Sequence, residues 1–213
     1  MKVLILGAGG HAQVVVDVLQ CAHRNGDDAV PIGYLDDAPH LQGQTRLGLP
    51  VLGLLDQIDT VSHDAVILAI GDNGTRRRLY EQLQQQGERF ATAIHPRSVI
   101  ASDVKIGPGS MVCAGVIINP GSMIGANAIL NTGCTVDHHS RIGDHVHIAP
   151  GVHLGGNVVI GTGTLVGIGA VVMPQRQVGE WSVVGAGAVV TKDIPTRTTA
   201  FGFPARLFER SEK

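Results

Sequence analysis

Aromatic side chains are nearly missing from this chain of 213 residues: Phe, Trp and Tyr together make up 3%. A core built the usual way fills its volume with aromatics, so this core has to come from small aliphatic residues. No run of 18 or more apolar residues occurs, and no transmembrane helix is expected. Excess positive charge is missing too. Sixteen Lys and Arg stand against 18 Asp and Glu, a net charge of −2, which argues against a nucleic-acid binder. The segment Met1 to Gly7 is apolar but too short for a signal peptide, and no A-x-A-like site follows. The three cysteines, Cys21, Cys113 and Cys134, are odd in number and form no CxxC pair. A reduced, cytoplasmic protein is expected. Glycine, in contrast, is plentiful at 29 residues, about twice the usual share. The chain must turn often.

Residues 1–95 read as an α/β domain. Lys2–Leu6, Pro31–Leu35 and Ala65–Ile70 read as strands, Ala12–Cys21 and Thr75–Gln86 as helices, and Ala91–Ile94 as a last short strand. Strands alternating with helices predict a parallel sheet. Gly7-x-Gly9-x-x-Ala12 follows the first strand, with Asp36 about two dozen residues on, which fits a nucleotide fingerprint. A region this short is half of a doubly wound domain and suits a mononucleotide better than NAD. Glycine amides at a helix N-terminus accept phosphate. The packing alternative is that the glycines only let helix approach strand. The run Arg76-Arg77-Arg78 reads as a solvated helix face, with phosphate contact as the alternative.

From Ile100 the pattern changes to a period of six. Ile100, Ile106, Val112, Ile118, Ile124, Leu130, Val136, Ile142 and so on to Val190 fall six apart without a break. This is a hexapeptide repeat, the signature of a parallel β-helix. Proline recurs two residues after the aliphatic (Pro108, Pro120, Pro150, Pro174), and Gly or Asn three residues after it. Pro followed by Gly or Asn is the central pair of a turn whose second residue needs φ > 0. Each hexapeptide is then a short strand plus a corner, and three hexapeptides make one triangular coil. A single aliphatic layer inside a narrow prism explains the missing aromatics. Cys134 falls at a small core position, so it is not read as a nucleophile.

Two corners carry histidine where Gly or Asn is expected: Asp137-His138-His139 and Asp144-His145. Corner side chains point outward, so most of the histidines His138, His139, His145, His147 and His153 are expected outside the core. Gln175 and Trp181 also depart from the pattern, as distorted corners or ligand contacts. Residues three hexapeptides apart stack, which puts His138 beneath Gly156. A base beside an open backbone N–H is what acyl transfer requires.

The hexapeptide array, the stretch Asn131-Thr132 to Val136-Asp137-His138 and the ending Gly202-Phe203-Pro204-Ala205-Arg206 resemble the left-handed β-helix acyltransferases. Gly7-Ala8-Gly9-Gly10-His11-Ala12, Tyr34-Leu35-Asp36-Asp37 and Ala69-Ile70-Gly71-Asp72-Asn73 are similar to the sialic-acid O-acetyltransferase-like (NeuD/PglD) family. That resemblance covers nearly the whole chain. It implies a Rossmann-like nucleotide-sugar-binding domain over 1–95, a left-handed β-helix acyltransferase domain over 96–193 and a C-terminal tail over 194–213.

The resemblance implies acetyl-CoA as co-substrate, no metal, and acetylation of the 4-amino group of a UDP-, GDP- or dTDP-linked sugar for surface glycans such as O-antigen. It implies His138 as general base and His147 at the acetyl end of acetyl-CoA. Gly156 would offer its amide to the thioester carbonyl, with Ile168 and Ala186 along the CoA arm. Gly9, Gly10, His11, Asp36, Asp37 and Asn73 would form the nucleotide-sugar site, and Asn131 the sugar pocket. A homotrimer with active sites between subunits is implied, and no nucleic acid or membrane partner. The residue after the catalytic histidine is usually an acid in this family, and here it is His139. Asp137 or a backbone carbonyl is the expected substitute. Sialic acid or sugar O-acetylation is the nearest alternative. A zinc site like that of γ-class carbonic anhydrases and a non-catalytic nucleotide-sugar-binding scaffold are the others. Zinc needs three converging ligands, and these histidines lack that class's spacing.

Overall fold

The computed structural model describes residues 1–208 and divides the chain into two compact units, Met1–Pro96 and the unit beginning at Arg97. The first holds a five-stranded sheet of β1 (Lys2–Leu6), β2 (Val30–Leu35), β3 (Thr45–Arg46), β4 (Leu49–Gly53) and β5 (Ala65–Leu68). Its order is β3-β4-β2-β1-β5, parallel except for the antiparallel pair β3–β4. Val3, Leu4, Ile5 and Leu6 are each 1% exposed or less, as expected where a parallel strand is covered on both faces.

Helix α1 (Gly10–Arg24) turns Ala12, Val15, Val16, Leu19 and Ala22 inward. It is longer at both ends than the apolar pattern predicts. Helix α2 (Asn73–Gln85) starts two residues earlier than expected, capped by Asp72, whose carboxylate accepts from the Thr75 N–H at 2.8 Å. Residues 39–60 hold structure that no hydrophobic period announces: β3, β4 and 3₁₀ turns at Pro39–Leu41 and Leu55–Thr60. Pro39, Gly43, Gly48 and Pro50 make that segment read as loop.

The arginine run is a correction. Arg76 is fully buried, and its Nη1 donates to the carbonyls of Ile70 (3.0 Å) and Gly71 (3.3 Å). Only its neighbours behave as a solvated face; Arg77 pairs with Glu81 four residues on, at 2.6 Å. Three successive helical residues point in different directions, so one can face the core while its neighbours face water.

The second unit is the β-helix. Two-residue strands recur with the hexapeptide period, and each pairs in parallel with its counterpart in the next coil. The first face holds Ile117–Ile118, Thr135–Val136, His153–Leu154 and Val171–Val172. Met123–Ile124, Arg141–Ile142 and Val159–Ile160 lie on the second, and Ile129–Leu130, His147–Ile148 and Leu165–Val166 on the third. The second residue of each two-residue strand is the predicted aliphatic; Ile100 and Ile106 at the open end of the coil are half-buried, and from Val112 to Val190 all are buried, with Val136, Ile148 and Val166 at 0% exposed. Buried hydroxyls stitch the coils, as where Ser140 donates to Gly155 O and accepts from Val158 N.

The corners have φ > 0 where expected, not only at glycines but at Asn127, His139, His145, Asn157, Gln175 and Trp181. Gln175 and Trp181 are thus ordinary corners of the coil. Beyond the last coil, the predicted tail is ordered as strand. Thr199–Phe201 extends the third face beside Val183–Val184, and Arg206–Phe208 returns antiparallel to it. The rest of that tail, 209–213, lies outside the described residues. No helix among the described residues is long and apolar enough to cross a membrane.

Candidate active site

The chemistry-bearing corner is Asp137-His138-His139, which joins the first face to the second. Pro120, His138, Gly156 and Pro174 form one vertical column, one from each of four successive coils. The stacking is direct: a Cβ built on Gly156 would lie 2.6 Å from both Cε1 and Nε2 of His138. Glycine leaves the space that the imidazole occupies. The column also shows that the coil needs no N–H at this position, because two of its four members are proline. Among the described residues no backbone carbonyl accepts from the Gly156 N–H, while its neighbour Asn157 donates to His138 O at 2.9 Å. A ring nitrogen therefore lies over Gly156, a residue whose amide donor no backbone carbonyl claims.

Asp137 does not reach the imidazole ring in the expected way. Its Oδ1 accepts from Asn119 Nδ2 (2.7 Å) and from the His138 backbone N–H (2.8 Å). Those two bonds, the Asn119 one first, hold its carboxyl below the usual range. The His138 ring instead meets His139, Nδ1 to Nδ1, at 3.1 Å.

His147 projects from the third face. On a triangular coil that is the side opposite the corner bearing His138. Asn131, one coil below, faces His147 Nε2 at 3.2 Å through its amide nitrogen, while its amide oxygen accepts from the Thr132 N–H. The implied sugar-pocket and acetyl-end residues thus touch each other. Ile168 is 62% exposed and Ala186 is exposed, both available to a ligand arm. His145 is a correction to the outward-pointing expectation: it is 7% exposed and pairs with buried Asn127 at 2.9 Å. Its corner turns the ring onto the coil below. His153 lies on the first face, where Nδ1 meets Thr135 Oγ1 at 2.9 Å.

In the first unit, Gly9, Gly10, His11, Asp36, Asp37 and Asn73 gather at the carboxyl ends of β1, β2 and β5, where the strand order changes direction and α/β sheets bind ligands. Gly7 is required by the fold: its φ is +104° and a Cβ would meet Ala69 O at 3.0 Å. Gly9 and Gly10 are not, since a Cβ on either would meet nothing within 4 Å. They open the N-terminus of α1, which no side chain caps. Asp36 grips the loops, accepting from Ala8 N (2.6 Å) and Ala38 N (2.8 Å). Asp37 Oδ1 accepts from Leu55 N at 2.9 Å. Burial, and then the positive charge of Arg76, push His11 down from 6.5 to about 4, so it is a neutral donor at physiological pH. A groove of about 540 Å³, lined by Asp37, Leu55, Ile58, Leu79 and Gln82 among others, opens beside Asp37. Nothing in the sequence announces it, because its walls come from the 3₁₀ turn at 55–60 and the flank of α2.

Among the described residues, the group able to hold a metal ion is Asp17, Cys21 and His95, with Arg24 Nη2 3.0 Å from the Cys21 sulfur. The histidines of the β-helix do not converge in that way.

Residues 2–83 match the PglD N-terminal domain, and residues 121–156 and 157–192 match the bacterial transferase hexapeptide (six repeats). Three solved structures are similar over nearly their whole length. One is the acetyltransferase domain of PglB from Neisseria gonorrhoeae, with 34% identity and a TM-score of 0.89, covering 97% of this chain and 99% of that one. A second is a perosamine N-acetyltransferase variant from Caulobacter crescentus in complex with CoA and GDP-perosamine, with 36% identity and a TM-score of 0.90, covering 98% and 97%. WeeI from Acinetobacter baumannii shares 31% identity at a TM-score of 0.87, covering 98% and 100%. These likenesses make the coil a left-handed β-helix. Among curated relatives, a dTDP-3-amino-3,6-dideoxy-α-D-galactopyranose 3-N-acetyltransferase from Aneurinibacillus thermoaerophilus is 47% identical over 38 residues, 18% of this chain. The chain spans about a fifth of the length of the curated relatives it matches.

Proposed function

We propose that this chain, which belongs to the hexapeptide-repeat acetyltransferases with a PglD N-terminal domain, moves the acetyl group of acetyl-CoA onto the 4-amino group of a nucleotide-linked sugar. The observation that carries this reading is the His138 imidazole stacked on Gly156, in a column where the fold has no use for the Gly156 N–H. His138 accepts the proton that the amine sheds as its nitrogen bonds to the thioester carbon and the carbon–sulfur bond breaks. It then returns that proton to the departing thiolate. The Gly156 N–H donates to the oxyanion that develops on the carbonyl oxygen. No step needs a metal or a covalent enzyme intermediate.

Two sites divide the binding. The open N-terminus of α1 suits a diphosphate, with neutral His11 as a donor, and the groove beside Asp37 has room for a base. The working form is a homotrimer. His138 stands at the corner opposite the face that carries His147, so one coil cannot bring both to one acetyl group, and two neighbouring coils can. The setting is the cytoplasm, where acetyl-CoA and sugar nucleotides occur together, and the product feeds surface glycans such as O-antigen.

The test is thiol release from acetyl-CoA against UDP-, GDP- and dTDP-linked 4-amino-4,6-dideoxy sugars, with the product checked for an amide. Turnover with at least one of them supports the reading, and silence across the panel refutes it. An ester product from a sialic acid would point to O-acetylation instead.

A further inference from the structure

We infer that His138 and His139 form a dyad in which His139 is a positioning residue: its Nδ1 accepts the Nδ1 proton of His138 and so leaves the His138 Nε2 lone pair open toward Gly156. The inference rests on the acetyl-transfer reading for its purpose, but not for its geometry.

The two Nδ1 atoms are 3.1 Å apart, and the rings meet edge to face at 80° with centroids 5.3 Å apart. Two imidazole nitrogens at that distance share one proton, since two lone pairs or two N–H groups would repel. The two neutral rings must then hold opposite tautomers, one protonated at Nδ1 and the other at Nε2. If His139 were the donor, His138 would carry its proton on Nε2, the atom facing Gly156, and could not act as a base there. The productive arrangement makes His138 the donor. When His138 takes a second proton on Nε2, its Nδ1–H becomes part of a cation and the bond to His139 strengthens.

Both rings are held by glycines from the neighbouring coils. His138 fills the space at Gly156 above. His139 fills the space at Gly121 below, where a Cβ would lie 2.7 Å from Cδ2 and 3.1 Å from Nε2. The backbone contributes as well, because His139 sits at φ 55°, which turns its ring back beside that of His138. Two carboxylates flank the pair. Asp137 is fixed by Asn119 and the His138 N–H, and Asp103 accepts from the Gly121 N–H at 2.8 Å. Arg141 is turned onto Met123 Sδ, and the turn above, Gly156-Asn157, carries no charge. A task that a single acid often performs for a catalytic histidine is therefore split: His139 supplies the acceptor and Asp137 the negative charge.

The test reads the tautomers directly, from the ¹⁵N shifts of the histidine rings in the full chain at neutral pH without substrate. His138 is expected protonated at Nδ1 and His139 at Nε2. His139→Ala should move His138 toward the Nε2–H form and lower kcat by roughly 10- to 100-fold, with KM for acetyl-CoA within about twofold. His139→Glu, which restores an acceptor, should recover most of the rate. His138 found mainly as Nε2–H in the unaltered chain, or unmoved in His139→Ala, overturns the dyad. The spectra need no activity. A protein with the expected tautomers that acetylates no amino sugar therefore keeps the dyad and loses the function, and the reverse result does the opposite.

Discussion

The ring of His138 occupies the space that a side chain at Gly156 would need, with Nε2 2.6 Å from where that Cβ would stand. Gly156→Ala therefore pushes the base off its position without straining the backbone, since the φ there is not left-handed. The expected result is a fall in kcat of about 10-fold or more, with the melting temperature nearly unchanged. His138→Ala should cost about 100-fold or more, while CoA still binds in calorimetry. A His138→Ala protein with near-normal turnover would remove it as the base.

Arg76 carries a stability prediction. Replacing it by Met keeps most of the volume but strips the donor from two carbonyls, Ile70 O and Gly71 O, in the loop between β5 and α2. Unfolding should become easier by about 2–3 kcal/mol. Arg77→Met, which breaks a half-exposed pair with Glu81, should change it by less than about 0.5 kcal/mol. Urea titrations can tell the units apart, because both described α-helices lie in the first unit and Trp181 lies in the second. The helical circular dichroism signal should shift in Arg76→Met before the tryptophan fluorescence does. Equal effects of the two substitutions would contradict the buried role.

Arg76 also shows why some of the molecule is legible in the sequence and some is not. The β-helix is readable because each coil repeats one rule, an aliphatic inward and a φ > 0 corner, and a sixfold period survives any single exception. The His138–Gly156 stack follows from the same arithmetic of three hexapeptides to a coil. Contacts that depend on one unrepeated side chain leave no such trace. Arg76 inside a run of three arginines, His145 turned inward and the Asp37 groove are set by tertiary neighbours rather than by local pattern. Asp36 illustrates the intermediate case: its place at the end of β2 is readable, but its grip on Ala8 and Ala38 is not.

His11 predicts how stability responds to acid. Its folded value is about 4, against 6.5 for a free side chain. Between those values the unfolded chain binds a proton that the native chain refuses. Stability should therefore be complete above about pH 6.5, fall as the pH drops toward 4 and level off below. The total loss is about 2 kcal/mol once partial solvent screening is allowed for. In His11→Asn, measured without ligand, that component of the slope should vanish. An identical pH profile for the two proteins would show that His11 is not held neutral.

The last prediction concerns how many chains build one active site. His138 lies at the corner between the first and second faces, and His147 on the third; in the proposed homotrimer a site using both draws them from two subunits. His138→Ala and His147→Ala chains should each be nearly inactive alone. Mixed within trimers, a site regains both histidines whenever an unaltered His138 meets a neighbour with an unaltered His147. Going round any mixed trimer, one of its three interfaces pairs an unaltered His138 with an unaltered His147 in the right order, so about a third of the normal activity should return. Co-expression with two different affinity tags, followed by tandem purification, isolates the mixed trimers for assay. Activity no higher than that of either parent would mean that each chain completes its own site, and the shared-site assembly would have to be abandoned.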